Sequence, residues 1–200
     1  MEELKVSRMS GKLKGLQGIN TSPLTNPFCN SMQKSKGDNI CKHCYSRKMV
    51  TTFRRNALPS WERNGNLLSQ GIVGVDFPYP KLKGPLVRFN AHGELINGKH
   101  FINLCRIALK YPEIQFALWT KRKELIQQYP EAIPFNMEVV YSEPKIDDLS
   151  TEIPEGFDKI FIVTSKKEHL SKGFPCHGKK CFECRECYGP YSGVIIELLK

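Results

Sequence analysis

Two hundred residues are enough for one domain with a substantial core, or one such domain and a small metal-stapled appendage. Hydrophobic residues make up 40% of the chain, and no apolar run approaches a membrane span, which leads us to expect no membrane partner. The net charge of +10 suits an anionic partner, nucleic acid included. The basic pairs and triplets (Arg47-Lys48, Arg54-Arg55, Lys121-Arg122-Lys123, Lys166-Lys167, Lys179-Lys180) come with no helix-turn-helix, RNA-recognition or zinc-finger spacing. A solvated surface, or compensation of a thiolate cluster, accounts for the same charge.

In chain order, Met1 to Gly18 is charged and glycine-rich without an apolar run, so no signal peptide and a reducing cytosol are expected. A weak strand is predicted around Leu13 to Asn20, then an irregular loop from Thr21 to Asn39 holding Pro23, Pro27 and Cys29. Helices are predicted from about Cys44 to Arg55 and from Pro59 to Gln70, with Pro59 suited to a first turn. Past a Gly/Pro-rich connection come a strand at Leu86–Asn90, an amphipathic helix at His100–Lys110, a strand at Ile114–Trp119 and a charged helix at Lys121–Tyr129. Strands follow at Met137–Tyr141 and Lys159–Thr164, then a short helical stretch at Lys166–Leu170 and a closing apolar run at Val194–Leu199.

Strands alternating with helices argue for an α/β protein with parallel βαβ units. Six candidate strands suit a partial (β/α)6 barrel-like parallel sheet, with an open doubly wound sheet as the competing arrangement. The expected division is a barrel-like unit over residues 1–172 and a cysteine-rich metal-binding segment with the closing strand over residues 173–200, packed on the same domain. In a barrel the functional residues belong at the carboxyl ends of strands. Those ends carry Asn20-Thr21, Asn90, Thr120-Lys121, Tyr141-Ser142-Glu143 and Thr164-Ser165.

Seven of the eight cysteines fall into two knots. Cys29, Cys41 and Cys44 read C-x11-C-x2-C, closing on Tyr45; Cys176, Cys181, Cys184 and Cys187 read C-x4-C-x2-C-x2-C, closing on Tyr188. Thiolates are soft ligands that select zinc, copper(I) or iron–sulfur centres. Disulfides belong to short secreted chains, which this is not. Three thiolates leave a metal position open, whereas four close a site. The second spacing resembles ferredoxin-type 4Fe–4S binding, and zinc, with His177 as a substitute ligand, stays open there. A zinc shared by Cys41, Cys44 and two thiols of the second knot also stays open. Cys105 has helical spacing with Phe101, Ala108 and Leu109, which makes it a core residue. His92 reads as a solvent-facing turn residue, and Gly71-x-x-Gly74 is too sparse for a phosphate loop.

The first cysteine loop and the strand after it resemble the radical S-adenosylmethionine (SAM) superfamily. There, three cysteines after the first strand hold a 4Fe–4S cluster that binds SAM, and a Gly-Glu after the second strand meets the SAM amino group. Gly93-Glu94 lies just past the second candidate strand here, while the first cysteine gap holds eleven residues against the superfamily's three. Several runs also look like the phage gene product 88 family: Asn20-Thr-Ser-Pro-Leu24, Cys41-x-x-Cys-Tyr45, Arg88 to Asn97 and Phe116-Ala-Leu-Trp-Thr-Lys-Arg122.

The resemblance implies reductive cleavage of SAM and radical modification of an unknown substrate in the cytoplasm of a phage host. Cys29, Cys41 and Cys44 would be ligands, Glu94 with Gly93 would meet the SAM ammonium, and Tyr45 would shield the cluster. Asn90, Thr120 and Ser142 become candidates for the SAM ribose or carboxylate. The implied cofactors are SAM and two 4Fe–4S clusters, the second of them replaceable by zinc. A flavodoxin or ferredoxin is the implied electron donor. The alternatives are a zinc-stapled basic nucleic-acid-binding protein without catalysis, and an iron–sulfur protein of the same fold that does not cleave SAM.

Overall fold

Short, mostly β-branched and aromatic runs bounded by Gly, Pro and Asn build the centre of this protein, whose computed structural model describes residues 3–176 and 179–199. Among the described residues eight strands form one sheet: β1 (Val6–Arg8), β2 (Gln17–Ile19), β3 (Leu86–Phe89), β4 (Gln115–Thr120), β5 (Met137–Ser142), β6 (Lys159–Thr164), β7 (Phe174–Pro175) and β8 (Gly193–Leu198). The spatial order is β1-β2-β3-β4-β5-β6-β8-β7. Only β1 runs antiparallel, pairing Val6 with Ile19, and every other neighbouring pair is parallel. The fold is therefore α/β with a mostly parallel sheet, and that sheet is not closed on itself. From β2 to β6 the strands keep chain order, so the point of reversal that defines a doubly wound sheet does not occur within that run.

Among the described residues six α-helices connect or cover the strands: α1 (Pro27–Lys34), α2 (Tyr45–Thr51), α3 (Leu58–Gln70), α4 (Gly98–Lys110), α5 (Lys123–Gln127) and α6 (Cys181–Cys184). Alternation along the strands sorts their side chains to two faces. Val87, Phe89, Phe116, Leu118 and Val139 pack with Leu68 of α3 and Phe101, Leu104 and Cys105 of α4. Cys105 is a core residue, as its helical spacing predicts. On the other face Leu86, Ala117, Val140, Phe161, Val163 and Ile195 pack with Cys187 and Tyr188 of the C-terminal segment. Helices cover one side of the sheet, and the second cysteine knot lies against the other.

Two local expectations need correction. The stretch predicted as irregular, Thr21 to Asn39, contains α1. Asn26 caps that helix by accepting from the amides of Phe28 and Cys29, and Pro27 at its first turn starts the helix instead of breaking it. His92 does not face solvent. It is buried, stacked on Trp61 with ring centroids 4.7 Å apart, and its Nδ1 lies 2.8 Å from the Ser46 hydroxyl.

Candidate functional site

The loops leaving β2 and β3 are stitched together before any cysteine is placed. The His92 amide donates to Asn20 Oδ1 at 3.0 Å, the Thr21 amide to the His92 carbonyl at 3.1 Å, and the Thr21 hydroxyl to the Glu94 carbonyl at 3.2 Å. Gly93 has φ +83°, and a Cβ there would collide with the Thr21 carbonyl and hydroxyl. Only glycine permits this approach. Asn26 then donates to the Glu94 carbonyl at 2.8 Å, so the cap of α1 fixes the helix turn carrying Cys29 against the Gly-Glu loop.

Cys41 and Cys44 lie in the turn before α2. Asn39 caps that turn by accepting from the Cys41 amide at 3.0 Å, and the Ile40 amide donates to the Pro144 carbonyl beyond β5 at 2.8 Å. Cys44 caps α2, its Sγ accepting from the Arg47 amide at 3.4 Å. Arg47 reaches back to Asn30 of α1 at 2.9 Å. The three thiols are thus placed near one another, and near Glu94 and Lys121. Burial pushes the Cys29 and Cys41 thiols up; the charges of Glu94 and the neighbouring cysteines push the same way, and Lys121 opposes them.

Glu94 is the buried carboxyl group of this site, 4% exposed. Its Oε1 accepts from the Thr120 hydroxyl at 2.5 Å and the Leu95 amide at 2.8 Å, and its Oε2 from the Lys121 amide at 2.9 Å. Burial raises its pKa, while the Lys121 charge and these hydrogen bonds hold it down. A carboxylate has about four acceptor positions, so one remains. The Lys121 ammonium donates to Ser142 Oγ at 3.0 Å, joining the ends of β4 and β5. Asn90, at the end of β3, is held at φ +51°, is buried, and neither end of its carboxamide has a hydrogen-bond partner among the described residues. A buried amide with both ends unpaired costs folding free energy and points to a bound group or water.

Of the residues singled out from the sequence, Cys29, Cys41, Cys44, Glu94, Thr120 and Ser142 are brought together through Lys121. Gly93 serves by its backbone, and Asn90 stands with its carboxamide unpaired. Tyr45 is exposed. Lys121 and Asn26 escaped the site reading. Lys121 was visible only as the neighbour of a strand-end threonine, and Asn26 only as the residue before Pro27.

The second knot is built differently. Cys176 follows β7, Cys181 and Cys184 bound α6, and Cys187 lies in the next turn, with Arg185 between them in the left-handed region at φ +57°. All four line one cavity of about 250 Å3, with Lys12, Tyr188 and Ile195. His177 lies outside the described residues. The thiols that act on one another electrostatically fall into these same two sets, so the contacts do not favour a site mixing both knots.

Among the described residues no group of three or more His, Cys, Asp and Glu side chains is arranged to hold a metal ion. The donor chemistry nonetheless fits one at each knot, since metal coordination replaces the proton whose loss burial makes costly.

No curated protein and no solved structure matches the chain. A family model, gene product 88, matches residues 7–190, which takes in both cysteine knots and every described strand except β8, with β1 entered one residue after its start. By that match the chain belongs to the gene product 88 family.

Proposed function

We propose that this is an iron–sulfur protein of the radical SAM type, which cleaves SAM reductively to modify a substrate by radical chemistry. One observation carries the reading: Cys29, Cys41 and Cys44 gather beside Glu94 and Lys121 at the carboxyl ends of parallel strands in chain order. That order also supports a partial-barrel description of the sheet. Three thiolates leave a cluster position open to a ligand, as four do not. When bound, such a cluster supplies the electron that breaks a carbon–sulfur bond of SAM.

The residues divide the remaining work. Glu94, held by Thr120 and two amides, offers its last acceptor position to the SAM ammonium. Lys121 gives one of its three N–H groups to Ser142 and has others for a carboxylate. Asn90 offers an unpaired carboxamide to the ribose or carboxylate. Gly93 lets the loop close behind them.

Among the described residues no helix is long and apolar enough to cross a membrane. The proposed setting is the phage host cytoplasm, with a flavodoxin or ferredoxin as electron donor. The deciding measurement is iron, sulfide and zinc content of anaerobically purified protein, with electron paramagnetic resonance (EPR) spectra of the reduced form before and after SAM. A spectrum perturbed by SAM supports the reading. Zinc without sulfide replaces it with a metal-stapled module whose basic runs meet nucleic acid.

A further inference from the structure

The C-terminal knot faces two cations that the SAM reading does not use. Lys12 donates to the Cys176 sulfur at 2.9 Å, to the Cys176 carbonyl at 2.8 Å and to Glu197 at 3.2 Å, so an N-terminal residue is fastened to a cysteine 164 positions away. Arg88 points from β3 onto the same face of the sheet. It is 6% exposed, its guanidinium carbon lies 3.8 Å from the Trp119 ring centroid, and its Nε has no hydrogen-bond partner among the described residues. Among the described residues no carboxylate forms an ion pair with it. A buried cation is costly unless an anion balances it.

Trp119, on which the Arg88 guanidinium rests, packs in one cluster with Cys176, Cys181, Cys187 and Tyr188 of the knot. Two cations, one of them also paired with Glu197, therefore face four thiols, and as thiolates around a metal these would form a net dianion.

Spacing separates the two metals. The run C-x4-C-x2-C-x2-C packs three thiols onto one short loop, as ferredoxin-type 4Fe–4S sites do, whereas four-thiolate zinc more often uses two separated C-x2-C pairs. All four cysteines line one cavity with Lys12. Resting on the reading of the knots as metal sites, we infer that the C-terminal knot seats a four-thiolate iron–sulfur cluster whose counter-charges are Lys12 and Arg88. Both act as positioning residues. Lys12 bonds to a ligand sulfur and Arg88 supplies positive charge from the sheet, and both effects favour the reduced cluster.

The test removes the first knot. A chain carrying C29A, C41A and C44A, purified anaerobically, is expected to retain about four irons and about four sulfides. Its reduction midpoint is then measured by EPR-monitored titration with K12Q, R88Q or R88K added. K12Q and R88Q are each expected to weaken reduction by about tenfold, or about 59 mV to more negative potential for one electron. R88K, which keeps the charge, stays near the parent and serves as the comparison should R88Q fold poorly. One zinc and no sulfide in the parent overturns the cluster; a midpoint unmoved by K12Q, and equal in R88K and R88Q, overturns the counter-charge role. Neither result depends on whether the first knot binds SAM.

Discussion

The carboxamide of Asn26 joins two parts of the candidate site: its nitrogen donates to the Glu94 carbonyl at 2.8 Å while its oxygen accepts from the Cys29 amide at 3.2 Å. One side chain thus sets the distance between a cysteine and the loop of the carboxylate beside it. Asn26→Ala removes a helix cap, worth about 1 kcal/mol, and one of two hydrogen bonds to the Glu94 carbonyl, which keeps the Thr21 hydroxyl, at about 1 kcal/mol. Urea denaturation should show a total loss of about 2 kcal/mol. Asn26→Asp keeps the cap, loses the donor, and is expected to show only part of it.

Gly93 is the second hinge of that arrangement. Gly93→Ala forces a side chain into the left-handed region and into Thr21. A loss of about 3 kcal/mol or more is expected by thermal or urea unfolding, because both the strain and the collision must be relieved by moving a loop. A variant as stable as the parent would mean that the β2 and β3 loops do not approach as described.

Glu94→Gln separates packing from binding. The glutamine oxygen can serve Thr120 and Leu95, but its NH2 then meets the Lys121 amide, donor against donor. About 2 kcal/mol of stability should go with that clash. Calorimetry should show SAM affinity falling at least tenfold in the folded, cluster-loaded variant. Unchanged affinity removes the role assigned to Glu94.

His100 gives a pH dependence with a definite sign. It is fully buried in α4, and its Nδ1 accepts from the Ile96 amide at 3.2 Å. Burial lowers its pKa from 6.5 to about 3. The unfolded chain therefore takes up the proton first as pH falls, and stability drops between pH 6.5 and 3 by up to about 1.4 kcal/mol per pH unit. His100→Gln keeps an acceptor and lacks the titration. Parent minus variant, measured by urea unfolding from pH 7 to 5, should fall toward acid; a flat difference would mean the imidazole is hydrated in the native state.

The strands were the legible part of this fold because parallel strands buried on both faces read as unbroken apolar runs. Lys159–Thr164 was placed to the residue, and Leu86, Met137 and Val194 fell within one residue of a strand start. What escaped had weak or misleading local signals. Strands β1 and β7 have three residues and two, too few for a period to register. Helix α1 was hidden behind a proline that reads as a breaker anywhere but the first turn. Lys159 gives no sign in sequence that it is fully buried, bonded to Glu138 at 2.5 Å. The cysteines announced themselves by spacing. Lys12 and Arg88 could not, because what they face is far away in the chain and only the fold brings it near.

Strand β8 lies between β6 and β7, so β6 borders solvent until residues 193–198 arrive. The run Ile160-Phe-Ile-Val163 is apolar on both faces, and without β8 its open edge would be a template for pairing between chains. The C-terminal strand therefore shields the open edge of β6, and a truncation ahead of it is expected to yield aggregate instead of a smaller soluble protein.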